Sequence, residues 1–142
     1  MNIIITVISM LFVKTIYCDI DGTLLDESLD ITFKYRRDVV KMSKKDLFCW
    51  YDNCGVDDLC IDYVLMSLLV VMKILGKEII VWTNRGEEQR EMTERNLGMW
   101  MLLFDDSLYC CGKKSVDLLV GDCITIDNEE EHVSTMGVQW KR

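Results

Sequence analysis

The sequence predicts an α/β fold: a parallel sheet with helices on both faces and no large cap. Three observations predict it. Short runs rich in β-branched and aromatic residues alternate with stretches of helical pattern. The clearest of those runs end at Asp or Thr, as strands do where a polar turn follows. The chain has 142 residues, 50% of them hydrophobic and 28% charged, enough for one domain with its own core. No internal repeat, low-complexity tract or linker divides it, so residues 1–142 read as a single domain.

In chain order, Ile3 to Val13 is an apolar run read as a buried strand, with residues 1–12 an N-terminal extension or an extra strand. The first clear strand is Val13 to Asp19, ending in the turn Asp21-Gly22-Thr23. The polar stretch Asp26 to Lys45 has no firm period; its Asp-rich part to Asp38 is expected to form a flap near the site. Leu47 to Tyr51 is a short strand or a loop patch. Ile61 to Leu75 is long and apolar enough for a helix, and Gly76 stops it. Glu78 to Trp82 is a second buried strand, ending at Thr83. Gly86 to Leu97 reads as a charged helix with Gly98 as its C-cap. Leu108 to Cys111 is a third strand, Val116 to Val120 a fourth ending at Gly121-Asp122, and Val138 to Trp140 a last edge strand. Asn128 caps a short acidic helix.

Composition narrows the chemistry. Lys and Arg number 16 against 24 Asp and Glu, a net charge of −8, which disfavours a broad grip on nucleic acid. With one histidine, His132, hydrolytic chemistry must rest on carboxylates, Lys, Thr and a bound metal. His132 itself is expected on an exposed helix. The seven cysteines form no C-x-x-C pair and their number is odd, which points to reduced thiols in a cytoplasmic compartment. A zinc site from Cys49, Cys54, Cys60 and His132 fits no standard spacing. The N-terminal run is too short to span a membrane, where ~20 apolar residues are needed, and it lacks a basic leader. No membrane partner is expected, and the oligomeric state is left open.

Polar residues gather just past the strand ends: Asp19 and Asp21 after the first, Thr83 after the second and Asp122 after the fourth. In open α/β sheets ligands bind at that edge. Asp19 and Asp21 stand two apart and face the same way while the chain is extended. Like charges so close call for a cation or a proton. A hard divalent ion, Mg²⁺, bound by Asp19, Asp122 and a backbone oxygen meets that need.

Asp19-Ile20-Asp21-Gly22-Thr23-Leu24-Leu25 resembles the first motif, DxDGTLL, of the haloacid dehalogenase (HAD) superfamily of phosphohydrolases. Ile80 to Arg85 resembles the second motif, a strand ending in Thr or Ser. Lys114 resembles the third-motif lysine, and Gly121-Asp122 with Asp127 resembles the acidic fourth motif. The resemblance runs from Val13 to Val138. It implies a Rossmann-like, capless or minimally lidded fold. It also implies a Mg²⁺-dependent phosphatase acting on a small phosphorylated substrate through an aspartyl phosphate.

On that resemblance Asp19 is the nucleophile, and Asp21 the general acid and base whose backbone carbonyl also binds metal. Thr83 with Asn84, Gly22 and Thr23 holds the phosphoryl group. Lys114 neutralises charge on the phosphoryl oxygens, and Asp19, Asp21 and Asp122 hold Mg²⁺. Lys113 competes with Lys114, because no proline follows to mark the motif. Asp127 either orients the lysine or a metal-bound water, or caps the helix at Asn128. Arg85 either holds substrate or pairs with Glu88. The helix start near Gly86 adds backbone donors for an anion. Glu87, Glu88, Glu91 and Glu94 read as a solvated helix face, and Trp50 and Tyr51 as core or as a stacking surface. The alternatives to a small-molecule phosphatase are an end-processing phosphatase on polynucleotides and a HAD-like binding module with little turnover.

Overall fold

The computed structural model describes residues 3–25, 61–119, 121–133 and 137–141. The expectations for Asp26 to Lys45, Leu47 to Tyr51, Trp50 and the Cys49–Cys54–Cys60 zinc site fall outside them.

Five parallel strands form one sheet in the order β3-β2-β1-β4-β5: β1 (Thr15–Cys18), β2 (Glu78–Thr83), β3 (Asp106–Tyr109), β4 (Cys123–Asp127) and β5 (Val138–Gln139). This α/β arrangement is compatible with a Rossmann-like fold. The order reverses beside β1, whose neighbours are β2 on one side (Thr15 against Glu78) and β4 on the other (Thr15 against Cys123). Such a reversal opens a crevice at the carboxyl ends of the two central strands. The core lies around these strands: Ile16, Cys18, Ile79, Val81, Ile124 and Ile126 are fully buried.

Helix α1 (Ile3–Leu11) corrects the strand expected at the N-terminus. Its β-branched run favours a strand, but tertiary packing overrides that preference. Thr6 and Met10, one helical turn apart, are both buried, and Lys77 Nζ donates to the carbonyls of Leu11 (2.8 Å) and Val13 (2.7 Å) at its end.

Helix α2 (Tyr63–Ile74) lies inside the expected span. Asp62 caps it by accepting from Leu65 N at 3.0 Å, and the other Asp62 oxygen accepts from Trp140 Nε1 at 2.8 Å. Leu65, Met66, Leu69 and Met72 make the buried stripe. After β2 the expected helix starts as a 3₁₀ turn, Glu87–Gln89, and continues as α3 (Arg90–Leu97), closed by Gly98 at φ +56°.

The fourth strand is the main correction. Val116–Leu118 is a 3₁₀ turn, and the strand is Cys123–Asp127. Both faces of a parallel strand inside the sheet are covered. Val116-Asp117-Leu118 has a carboxylate in its middle, and Asp117 is exposed with its N–H on Ser115 Oγ. Ile124, Thr125 and Ile126 are wholly buried and fill that slot instead. Among the described residues no helix is long and apolar enough to cross a membrane.

Candidate active site

The register of β4 decides which acid reaches the crevice. Asp122 precedes the strand at its amino end, is exposed, and its carbonyl accepts from Lys14 N (3.2 Å) and Thr15 N (3.1 Å). Asp127 ends the strand, five residues or about 16 Å further along. Asp122 is thus on the edge away from Asp19, and the expectation that it joins Asp19 and Asp21 is corrected: Asp127 and Asn128 are the residues β4 delivers.

Asp19 follows β1 directly, with its N–H on the Ile126 carbonyl at 2.9 Å. The turn after it reverses through Gly22 at φ +80°, closed by Gly22 N to Leu25 O and Leu25 N to Ile20 O, both 2.9 Å. Glycine serves twice there: it adopts the left-handed backbone, and a Cβ would stand 2.5 Å from the Asn128 side-chain amide. Thr23 is buried and donates to Asp19 Oδ2 at 3.0 Å.

Asn128 packs against this turn. With its amide nitrogen facing inward, the orientation its neighbours call for, its two N–H groups face four oxygens: Asp19 Oδ2 (3.0 Å), the Asp21 carbonyl, Asp127 Oδ1 and Thr23 Oγ1 (each 3.2 Å). Four acceptors thus converge on one point.

Lys114, not the exposed Lys113, reaches the site. Its N–H is held by Asn84 Oδ1 at 2.9 Å, in a turn that also bonds Cys110 N to Thr83 O and Gly112 N to Asn84 O. Its ammonium is buried, 2.9 Å from Asp19 Oδ1, hydrogen-bonded to Asp127 Oδ2, and 4.2 Å from the centre of the Trp82 ring. Burial alone lowers a lysine, but the Asp19 and Asp127 charges hold Lys114 above its ordinary range. Burial, with the charges of Asp127 and Asp21, pushes Asp19 up to about 7 despite Lys114.

Arg85 has a third task beside the two expected. It binds Asp21 in a two-pronged pair, Nε to Oδ2 at 2.9 Å and Nη2 to Oδ1 at 2.7 Å, while Nη1 is held by Thr93 (2.9 Å) and Asn96 (3.1 Å). Thr83 is buried and its Oγ1 accepts from Arg85 N at 3.1 Å. The helix-start donor expected at Gly86 is taken, since Gly86 N donates to Gln89 Oε1 at 2.9 Å.

A cavity of about 400 Å³ opens over this group. Asp19, Asp21, Asn84, Arg85, Lys114 and Asp127 all line it; Thr83, Gly22 and Thr23 are not part of the lining. His132, expected on an exposed helix, is buried at the cavity wall, packed edge-on to Trp82 with Nδ1 3.3 Å from Glu129 Oε2 and 3.6 Å from Asp127 Oδ2. Glu129, Glu131 and His132 bring ligand atoms within 4.8 Å of one another, with both glutamates exposed. Asn128 and His132 were missed as site residues. The readable signal was the run Ile124-Thr125-Ile126-Asp127, a better buried strand than Val-Asp-Leu-Leu-Val.

The arrangement can offer an anionic oxygen for attack, a paired ammonium beside it and a carboxyl fixed by a guanidinium, all facing one cavity. Searches of family models, of curated proteins and of solved structures each found no match to this chain.

Proposed function

We propose that the chain is a HAD-like phosphatase that hydrolyses a phosphomonoester through an aspartyl phosphate on Asp19. The observation that carries this reading is the Asp19–Lys114–Asp127 chain beside the DxDGT turn. An Asp19 oxygen attacks phosphorus while the bond to the leaving oxygen breaks, and Asp21 gives that oxygen its proton. Water then attacks the phosphoryl group, Asp21 takes the proton, and the Asp19 carboxylate is released with inorganic phosphate. Lys114 offsets charge on the phosphoryl oxygens and on Asp19. Arg85 fixes where the Asp21 carboxyl points.

The convergence of acceptors on the Asn128 amide is a donor set suited to a hard cation. Asp19, the Asp21 carbonyl and, with its amide turned, the Asn128 side-chain oxygen would hold Mg²⁺, in place of the set that included Asp122. Bound there, Mg²⁺ supplies charge neutralisation of the transferring group.

The test is hydrolysis of p-nitrophenyl phosphate with millimolar Mg²⁺ by wild type and Asp19→Asn, both checked for fold by circular dichroism. Turnover that vanishes in Asp19→Asn supports the reading. Wild-type rates in Asp19→Asn, free of deamidation by mass spectrometry, overturn it.

A further inference from the structure

We propose that this cavity selects phosphomonoesters whose remaining part is uncharged or cationic, a polyol or amino alcohol phosphorylated once, and turns away esters with a second anionic group. This deepens the phosphatase reading and rests on it.

The described lining contains two strong cations, and both are committed. Arg85 is bound to Asp21 by two hydrogen bonds and to Thr93 and Asn96 by its remaining arm. Lys114 is held by Asp19 and Asp127. The backbone donors nearby are committed as well: Arg85 N to Thr83 Oγ1, and Gly86 N to Gln89 Oε1.

Glu88 and Glu129 add two exposed carboxylates to the lining. The Glu88 carboxyl folds back over Gly86 so closely that a Cβ on Gly86 would meet its Oε2 at 2.2 Å. A negative group therefore covers the 3₁₀ turn where a second anion would otherwise find a positive end. A cavity of about 400 Å³ takes one phosphoryl group with a small remainder. A remainder that extends toward Glu88 and Glu129 meets their charge. Charges separated by a few ångströms at a partly screened surface change affinity by about tenfold for each sign reversal.

The experiment uses the full chain with Mg²⁺. It measures kcat/KM for O-phosphoethanolamine, glycerol 3-phosphate and 3-phosphoglycerate. It also measures binding of two unreactive probes, 2-aminoethylphosphonate and 2-carboxyethylphosphonate, by calorimetry. The expected order is amine over polyol over carboxylate, with the two phosphonates differing by about tenfold or more. A Glu88→Gln/Glu129→Gln double variant, checked for fold by circular dichroism, should bring that ratio close to one. Carboxylated compounds bound and hydrolysed as well as the amines overturn the inference and leave the phosphatase reading standing. Amine-selective phosphonate binding with no ester hydrolysed sustains the selectivity and removes the phosphatase. Absence of any phosphonate preference overturns the selectivity whatever the rates.

Discussion

The Lys114 ammonium lies 2.9 Å from Asp19 Oδ1, and the same group is hydrogen-bonded to Asp127 Oδ2, so one buried cation serves two buried carboxylates. Removing it strands both. Lys114→Ala should lower stability by about 3–5 kcal/mol, the usual cost of leaving a buried charge without its partner. Lys113→Ala, at an exposed position, should change it by less than about 0.5 kcal/mol. Urea denaturation of both variants checks the ranking, and equal losses would remove the role given to Lys114.

Asp19 gives the metal-free protein a pH signature. Its folded value is raised to about 7 from 3.8, chiefly by burial. Between about pH 4 and 7 the native state keeps a proton that the unfolded chain has shed. The contribution of this group is therefore complete below pH 4 and is lost as pH climbs through 7. Melting in EDTA across that window should show stability falling with pH in wild type and a flatter profile in Asp19→Asn. The same slope in both proteins would assign it elsewhere.

Asn128 faces three oxygens of Asp19, Asp21 and Asp127. Asn128→Asp puts another carboxylate among them. It should melt several degrees lower than wild type in EDTA, and millimolar Mg²⁺ should recover more of the loss than it adds to wild type. Asp122→Ala, at the far edge, should leave the Mg²⁺ response unchanged. A reversed pattern would restore Asp122 to the metal set.

Gly22→Ala tests the close approach of the turn to β4. The substitution meets both φ +80° and a 2.5 Å contact with the Asn128 side-chain amide. A cost of about 1–3 kcal/mol is expected from the strained backbone, measured by thermal melting. Neutral behaviour would mean that the turn and Asn128 have room to part.

The legible parts of the sequence were those where a buried run and its turn signal coincide. The strands expected at Val13 to Asp19 and Glu78 to Trp82 are found at Thr15–Cys18 and Glu78–Thr83, whereas Lys114 came with the resemblance and stood in competition with Lys113. The register of β4 did not read correctly, because Val116 to Val120 also ends in Gly-Asp and only competition for the slot beside β1 excludes Asp117 from it. His132 was invisible as a site residue, since its neighbour Trp82 lies on β2, some fifty positions away in the chain. The helix α1 was misread because nothing local shows that Thr6 and Met10 share a covered side.

The parallel register that joins β1 to β4 also governs when the site can exist. Thr23 and Asn128, which touch across it, are 105 positions apart in the chain. Pairings this distant close late and slowly, because the loop entropy is lost before the contact is gained. A ribosome-bound or truncated chain ending before Cys123 would have the DxDGT turn but neither Asp127 nor Asn128, so the buried Lys114–Asp19 pair would be left without its third member. Assembly of the acidic cluster is thus tied to β4 taking its place beside β1.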